Sequence, residues 1–392
     1  MFDCLIRWLY QNKEWLFSGI GVLVIGSIAR FIIYIIKQEN TTIAISDEYI
    51  LVQIPKNKYE DFIKALCESA TAGNEFKDDK KFEVNLKQHD FANMLKKAEQ
   101  GDAQAQYNVG FCYFNGKGVK INKKEALKWW KKAAMQAHAK AQSCLAACYH
   151  LGNGIEEDKE EAFKWWKKAA EQGHIISQFI VGCYYNNGDG IEEDKEEAFK
   201  WWKKAAEQDY ALAQLKIAFC YDKGEGVIKN KKEALKWYMK VAEQGDAQAQ
   251  FIVGCYYNKG EGIKEDKEEA FKWWKKAAEQ GHITAQFNIG CHYSKVNGGK
   301  EDKKEAFKWW KKAAKQGDAK AQYNIGVYYD NGWGVEVNMD EAFKWYMKAA
   351  EQGLAKAQFK VSQCYALGLG TDIDPEKSEM WKEKAIKNGY KK

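Results

Sequence analysis

Proline is almost missing from this sequence: there are two, Pro55 and Pro375, in 392 residues. With Ala, Glu, Lys and Trp abundant, that scarcity favours helices over extended or turn-rich folds. An excess of charge of one sign is missing as well. The 61 Lys and Arg face 55 Asp and Glu, a formal net charge of +6. This is a mixed, solvated surface, without the concentrated cationic field of a dedicated nucleic-acid binder. Catalytic signatures are absent too. The Gly-x-Gly pairs are not followed by G-K-[ST], so they are not phosphate-binding loops. No Ser/His/Asp constellation is identifiable. The tightest cluster of possible metal ligands, Cys144, Cys148 and His150, lacks a second pair at metal-ligand spacing. No enzyme, metal or cofactor is therefore expected. What is present is a 14% aromatic content, including 16 Trp, which excludes generic disorder.

The chain repeats itself. Blocks related to GDAQAQ begin at Gly101, Ala137, Gly173, Asp209, Gly245, Gly281, Gly317 and Gly353. Every step is 36 residues, so eight units cover 101–388. Each unit reads as two helices and two turns. In the fifth, 246–258 is the first helix, and 259–263 is a turn with Gly260 and Gly262 available for positive φ. The second helix lies within 264–280. Asp266 is its N-cap, Glu269 completes a capping box in outline, and Gly281 ends it. Upstream, 91–100 (FANMLKKAEQ) mimics FKWWKKAAEQ and is expected to be a lone capping helix, with 389–392 a short tail.

Some positions never vary among the copies. The first helix always carries Gln (Gln106 through Gln358) and, seven residues on, Tyr (Tyr113 through Tyr365). Seven residues are two turns, so each pair shares a face. Between them a β-branched residue or Leu precedes a small one, such as Val253 before Gly254, where two helices can approach closely. The second helix always carries one Trp: Trp129, Trp165, Trp201, Trp237, Trp273, Trp309, Trp345 and Trp381. One helix pair cannot bury its own apolar face, so these Trp are assigned to the seam between stacked units. Burying about 200 Å2 of indole is worth about 5 kcal/mol by area.

The pattern A-x-A-Q…G-x-x-Y…G-x-G…A-x-x-W-[WY]-x-K-A-A-x-Q-G resembles the Sel1-like repeat, a relative of the tetratricopeptide repeat. In the fifth unit Ala247, Ala249, Gln250, Gly254, Tyr257, Gly260, Gly262, Ala270, Trp273, Trp274, Lys275, Lys276, Ala277, Ala278 and Gln280 match it. The resemblance implies an all-α fold, a right-handed α-solenoid of eight helix-turn-helix repeats whose first helices line a concave face. It also implies protein binding and complex assembly. Two departures stand out. Val296-Asn297-Gly298-Gly299 replaces the usual turn, and Lys382 replaces the second aromatic of the last unit, where Asp374-Pro375 starts the helix.

Positions that the stack leaves free to vary form one stripe on each first helix. From it the expected partner-binding residues are Ile176, Ile180, Leu212, Lys216, Phe219, Gln248, Ile252, Asn288 and Asn324. The apolar ones suggest a groove for another protein or an extended peptide segment, and charging Ile180 and Ile252 is expected to abolish capture without unfolding the chain. KWWKK interleaves aromatics with cations, as single-strand binders do. Acids of the EEDKEE type neutralise that field, so no nucleic acid is expected. His138, His174 and His282 share one repeat position, which marks a fold residue and not a ligand.

Residues 16–36 are 21 nearly uninterrupted apolar positions, enough to span a bilayer as one transmembrane helix. Residues 1–15 flank it, with Trp8, Tyr10 and Trp15 as interfacial anchors; Tyr34 lies near its far end. Residues 37–90 are a connector or small adaptor element, with a short strand expected near 41–54 and an amphipathic helix at 58–70. A single-pass bacterial inner-membrane location follows. Flanking charges leave the orientation close to a tie. The ten Cys are expected to be buried free thiols, since most stand alone in a first helix. That favours the cytosolic side, whereas the export of related bacterial repeat proteins argues for the periplasm. The expected function is a membrane-anchored protein–protein interaction scaffold or adaptor. The alternatives are an immunity protein neutralising a toxin and a regulator or component of an envelope enzyme complex.

Overall fold

The computed structural model describes residues 88–295 and 299–390. The expected flank 1–15, span 16–36, nearly all of the connector and the turn at 296–298 lie outside the described residues. The described residues form seventeen helices and no strand. The lone helix α1 (Gln88–Glu99) comes first and overlaps the expected 91–100. Eight pairs follow: α2 (Ala103–Asn115) and α3 (Lys123–Met135), α4 (Ala139–Leu151) and α5 (Lys159–Glu171), α6 (Ile175–Asn187) and α7 (Lys195–Glu207), α8 (Ala211–Lys223) and α9 (Lys231–Glu243). Then come α10 (Ala247–Lys259) and α11 (Lys267–Glu279), α12 (Ile283–Lys295) and α13 (Lys300–Lys315), α14 (Ala319–Asn331) and α15 (Met339–Glu351), α16 (Ala355–Leu367) and α17 (Pro375–Lys387). The chain divides into two compact units, Met1–Trp237 and Tyr238–Lys392.

Local chemistry sets the helix ends. Asp266 Oδ1 accepts from Glu269 N at 2.8 Å, the expected N-cap. The Glu269 carboxylate does not complete the box; it pairs with Lys272 at 2.8 Å. Gly260, Gly262 and Gly281 have φ of 68°, 70° and 91°, as their turn and C′ roles require. Ala137 and Asp209 hold the equivalent of Gly281 in their own repeats at φ near 60°, a conformation that costs a residue with a Cβ. Asp374 caps α17, with Pro375 in its first turn. Helix α13 has Gly299 as its N-cap, without a side-chain cap, and has 16 residues where the other repeat helices have 13.

The invariant Gln is a buried polar bridge. Gln178 Nε2 donates to Ala170 O, at the end of the preceding second helix, at 3.1 Å. Its Oε1 accepts from Gln208 Nε2 at 2.8 Å, just beyond its own second helix. In the other unit Gln286 repeats this with Ala278 O and Gln316, and Gln322 with Ala314 O and Gln352. A buried amide satisfied at both ends ties three helices together, and an unsatisfied one would be costly. Where the preceding second helix carries Phe, the invariant Tyr meets it edge-on: Phe199–Tyr221 and Phe343–Tyr365 are T-shaped at 5.3 Å.

Seven of the eight seam Trp are buried and Trp237 is half-buried. Trp381, for example, packs with Ala350 of the preceding helix and with Ala357, Val361 and Cys364 of its own first helix. A Lys three residues on lies over the outer ring face, as Lys204 does over Trp201 at 3.8 Å.

In most copies the second aromatic lies deeper still; Trp274, half-buried beside the buried Trp273, is an exception. Trp202 Nε1 donates to Phe179 O at 3.1 Å, and a Cβ on Gly182 would sit 2.5 Å from its Cδ1. The small residue of the motif is thus glycine because an indole edge occupies the space of its side chain. The copies obey this rule. Trp130, Trp274 and Trp310 pair with Gly110, Gly254 and Gly290 and make the same hydrogen bond. Ala146 faces Trp166, whose buried Nε1 finds no hydrogen-bond partner. Where Lys382 replaces the aromatic, Ser362 fits, and its carbonyl accepts from Ser378 Oγ at 2.9 Å.

Candidate interaction site

The expected stripe residues divide between the two units, and burial separates them further. In the first, Ile180 is 1% exposed, Ile176 and Phe219 are buried, and Leu212 and Lys216 are half-buried. Ile176 and Ile180 belong to the core cluster, with Leu212 packed against it. Lys216 Nζ lies 5.6 Å from the centre of the Trp202 ring. Helix α6 is buried at nine consecutive positions, Ile176 to Tyr184, so that stretch presents no open face. In the second unit Ile252 is fully buried, whereas Gln248, Asn288 and Asn324 are half-exposed. Gln248 Oε1 bonds His282 Nε2 at 3.0 Å. The expectation that charging Ile180 and Ile252 spares the fold is corrected accordingly. Either change would place an unpaired charge in the core. Leu212, Lys216, Gln248, Asn288 and Asn324 keep partial exposure, so what the stripe leaves open to a partner is mostly polar.

The three tandem His are fold residues, as their register predicts. His282 Nδ1 accepts from Ala285 N at 3.1 Å, capping α12 where Asp caps other first helices, and its ring stacks on Phe251 at 4.5 Å. Capping needs a neutral imidazole, and burial pushes its pKa down from 6.5 to about 4. His138 and His174 cap α4 and α6 in the same way. Among the described residues eight Cys are free thiols, seven of them buried. Burial pushes the Cys148 and Cys220 thiols up to about 12, so they are inert. No group of His, Cys, Asp and Glu among the described residues could hold a metal ion. Likewise, no described helix is long and apolar enough to cross a membrane.

One feature of the second unit was not legible as a site. Tyr346 stands where most copies have the second Trp, and its Oη donates to Asp330 Oδ2 at 3.1 Å. Lys360 Nζ lies 3.5 Å from the same oxygen. Burial and the neighbouring carboxylate hold the phenol above its usual pKa range, so it stays a donor. Beside them is a cavity of about 230 Å3, lined by Asp330, Met339, Tyr346, Lys360, Gln363 and Leu367 among others. Asp occupies this register only in the two units whose second aromatic is Tyr: Asp330 with Tyr346, Asp222 with Tyr238. That covariation was the available signal.

Eight consecutive stretches, 103–138, 139–174, 175–210, 211–246, 247–282, 283–318, 319–354 and 355–390, match the Sel1 repeat. Among solved structures, c5321, a protective antigen present in uropathogenic Escherichia coli strains, is 30% identical. The match covers 85% of this chain and 79% of that one at a TM-score of 0.50. A Sel1 repeat protein from Oxalobacter formigenes is also 30% identical, over 78% of this chain and 86% of its own, at a TM-score of 0.55. The immunity protein Pa5087 from Pseudomonas aeruginosa is 22% identical over 55% and 81% of the two chains, with a TM-score of 0.32, a likeness of fold alone. No curated protein matches the sequence. With eight matched copies, each carrying the invariant Gln, Tyr and Trp, this chain belongs to the Sel1 repeat family.

Proposed function

We infer that this chain is a non-enzymatic, membrane-anchored scaffold that holds another protein, or an extended segment of one, against the first helices of its repeats. One observation carries the reading. The invariant side chains are spent on the stack, whereas Gln248, Asn288 and Asn324, at positions that differ from copy to copy, remain half-exposed. Accessible polar side chains at positions that vary along a repeated frame are how such proteins acquire a partner. The apolar run 16–36 supplies the anchor, and the buried free thiols favour a reducing, cytosolic side for the repeats.

The test is a photo-crosslinker placed at Asn288 or Asn324 in cells, with Lys272, on the exposed face of a second helix, as control. A single partner crosslinked from the two Asn positions and not from Lys272 supports the scaffold. Equal yield from all three sites refutes it. Maleimide labelling of an engineered surface Cys in intact cells decides the orientation.

A further inference from the structure

Of the ten exposed large apolar side chains among the described residues, seven lie in the last two repeats. Five of these, Trp333, Val337, Leu367, Leu369 and Ile373, lie on or beside the turns between first and second helices, each between 36 and 66% exposed. The two turns are neighbours. A Cβ on Gly370 would run into Met339 O, and Met339, Leu367 and Leu369 line the cavity that also contains Asp330 and Lys360.

The repeat fold does not ask for these apolar residues. Val337 and Ile373 lie over the left-handed Gly332 and Gly368, as Ile121 does over Gly116, but Glu193, Lys229 and Glu265 lie over Gly188, Gly224 and Gly260 in the same register. The register of Trp333 and Leu369 is Lys117, Asn153, Asp189, Glu225 and Glu261 in other copies. Trp333 stands edge-on to Tyr328 at 5.6 Å, with Lys303 Nζ 5.1 Å from its ring centre, so its orientation is fixed in solvent. The same turns carry the exposed carboxylates Glu336, Asp340, Asp372 and Glu376. The edge is therefore an apolar strip whose border carries these four carboxylates against Lys303 and Lys377, a negative excess, and it opens into a cavity large enough for an aliphatic side chain.

We propose that this edge of repeats seven and eight is a second interaction surface, distinct from the first-helix stripe, for a basic amphipathic helix of another protein. Apolar side chains on one face of that helix cover Trp333, Val337, Leu369 and Ile373, and one enters the cavity beside Leu367. Lys and Arg at its margins meet Glu336, Asp340, Asp372 and Glu376. Charge complementarity selects this partner over an acidic one.

The probe is a fluorescent synthetic Leu/Lys amphipathic 15-mer, titrated into the full-length chain by anisotropy beside its Leu/Glu counterpart. Saturable binding of the basic peptide, at least tenfold tighter than the acidic one and weakening with salt, is expected. The quadruple variant W333N/V337Q/L369N/I373Q removes apolar surface without adding charge and should weaken binding at least tenfold with unfolding unchanged. Tyr346→Trp, which fills the cavity with the side chain most other copies use, should weaken it severalfold. Equal binding of both peptides, or unchanged affinity in the quadruple variant, overturns the proposal. So does self-association of the wild-type chain in sedimentation that the quadruple variant abolishes, since the edge would then serve a second copy. Crosslinking from Asn288 and Asn324 tests the scaffold reading separately and does not depend on this edge.

Discussion

Repeat three and repeat seven use one frame for two purposes. In repeat three Trp202 lies against Gly182, where its edge fills the space a side chain would take, and bonds Phe179 O. In repeat seven Tyr346 lies against Gly326, must find Asp330 for its hydroxyl, and borders a cavity. The phenol in place of the indole, with Asp330 in place of Asn186, puts a carboxylate into the joint, whereas an ammonium, Lys216 or Lys360, lies near the ring in both. A repeat array acquires site chemistry wherever a copy departs from the shared packing.

The comparison can be broken most forcefully at Trp202. Trp202→Ala should cost about 3–5 kcal/mol, read as a lower denaturant midpoint, because the indole is buried and its pocket cannot collapse. An unchanged midpoint would mean that this joint contributes nothing to the stack. Trp202→Tyr should cost less, about 1–3 kcal/mol, since it strands a buried hydroxyl where repeat seven has Asp330. Asn186 holds the register of Asp330, so adding Asn186→Asp should recover part of that loss. Without recovery the Tyr–Asp pairing is coincidence.

His282 adds a pH test. Its folded pKa of about 4 lies below the ordinary 6.5, so the neutral ring is favoured by folding. Its contribution is complete above about pH 6.5 and is lost as the pH falls toward 4. His282→Asn keeps a cap without the titration and should flatten unfolding stability across that window; an identical pH profile would refute the assignment. The smallest effects should come from Ala137→Gly and from Asp209→Gly, where the lost Gln214 Nε2–Asp209 Oδ1 bond offsets part of the gain. Each relieves a positive φ and should raise the unfolding midpoint by up to the equivalent of about 1 kcal/mol, and a lower midpoint would contradict the strain.

The helix pairs, caps and seam were legible because they depend on local spacing. Asp266 three residues before Glu269, Gly281 at a helix end, and Trp every 36 residues each state their role without a partner in view. The site was less legible. Ile180 and Asn324 occupy the same register, yet one is sealed in the core and the other is half-exposed. Nothing in the spacing distinguishes them, because burial depends on which residues pack over a position. The role of Gly182 was visible only as smallness, since the Trp202 edge that demands it lies twenty residues away.

The sequence by itself determined the period, the order of helices, their capping and the family, all properties of residues close in the chain or recurring along it. Tertiary structure decided which variable positions reach solvent, that the invariant Gln is a three-helix bridge, and that Tyr346 and Asp330 border a cavity beside an exposed apolar edge. Those outcomes depend on volume and on distances between side chains from different helices, and a one-dimensional pattern carries neither.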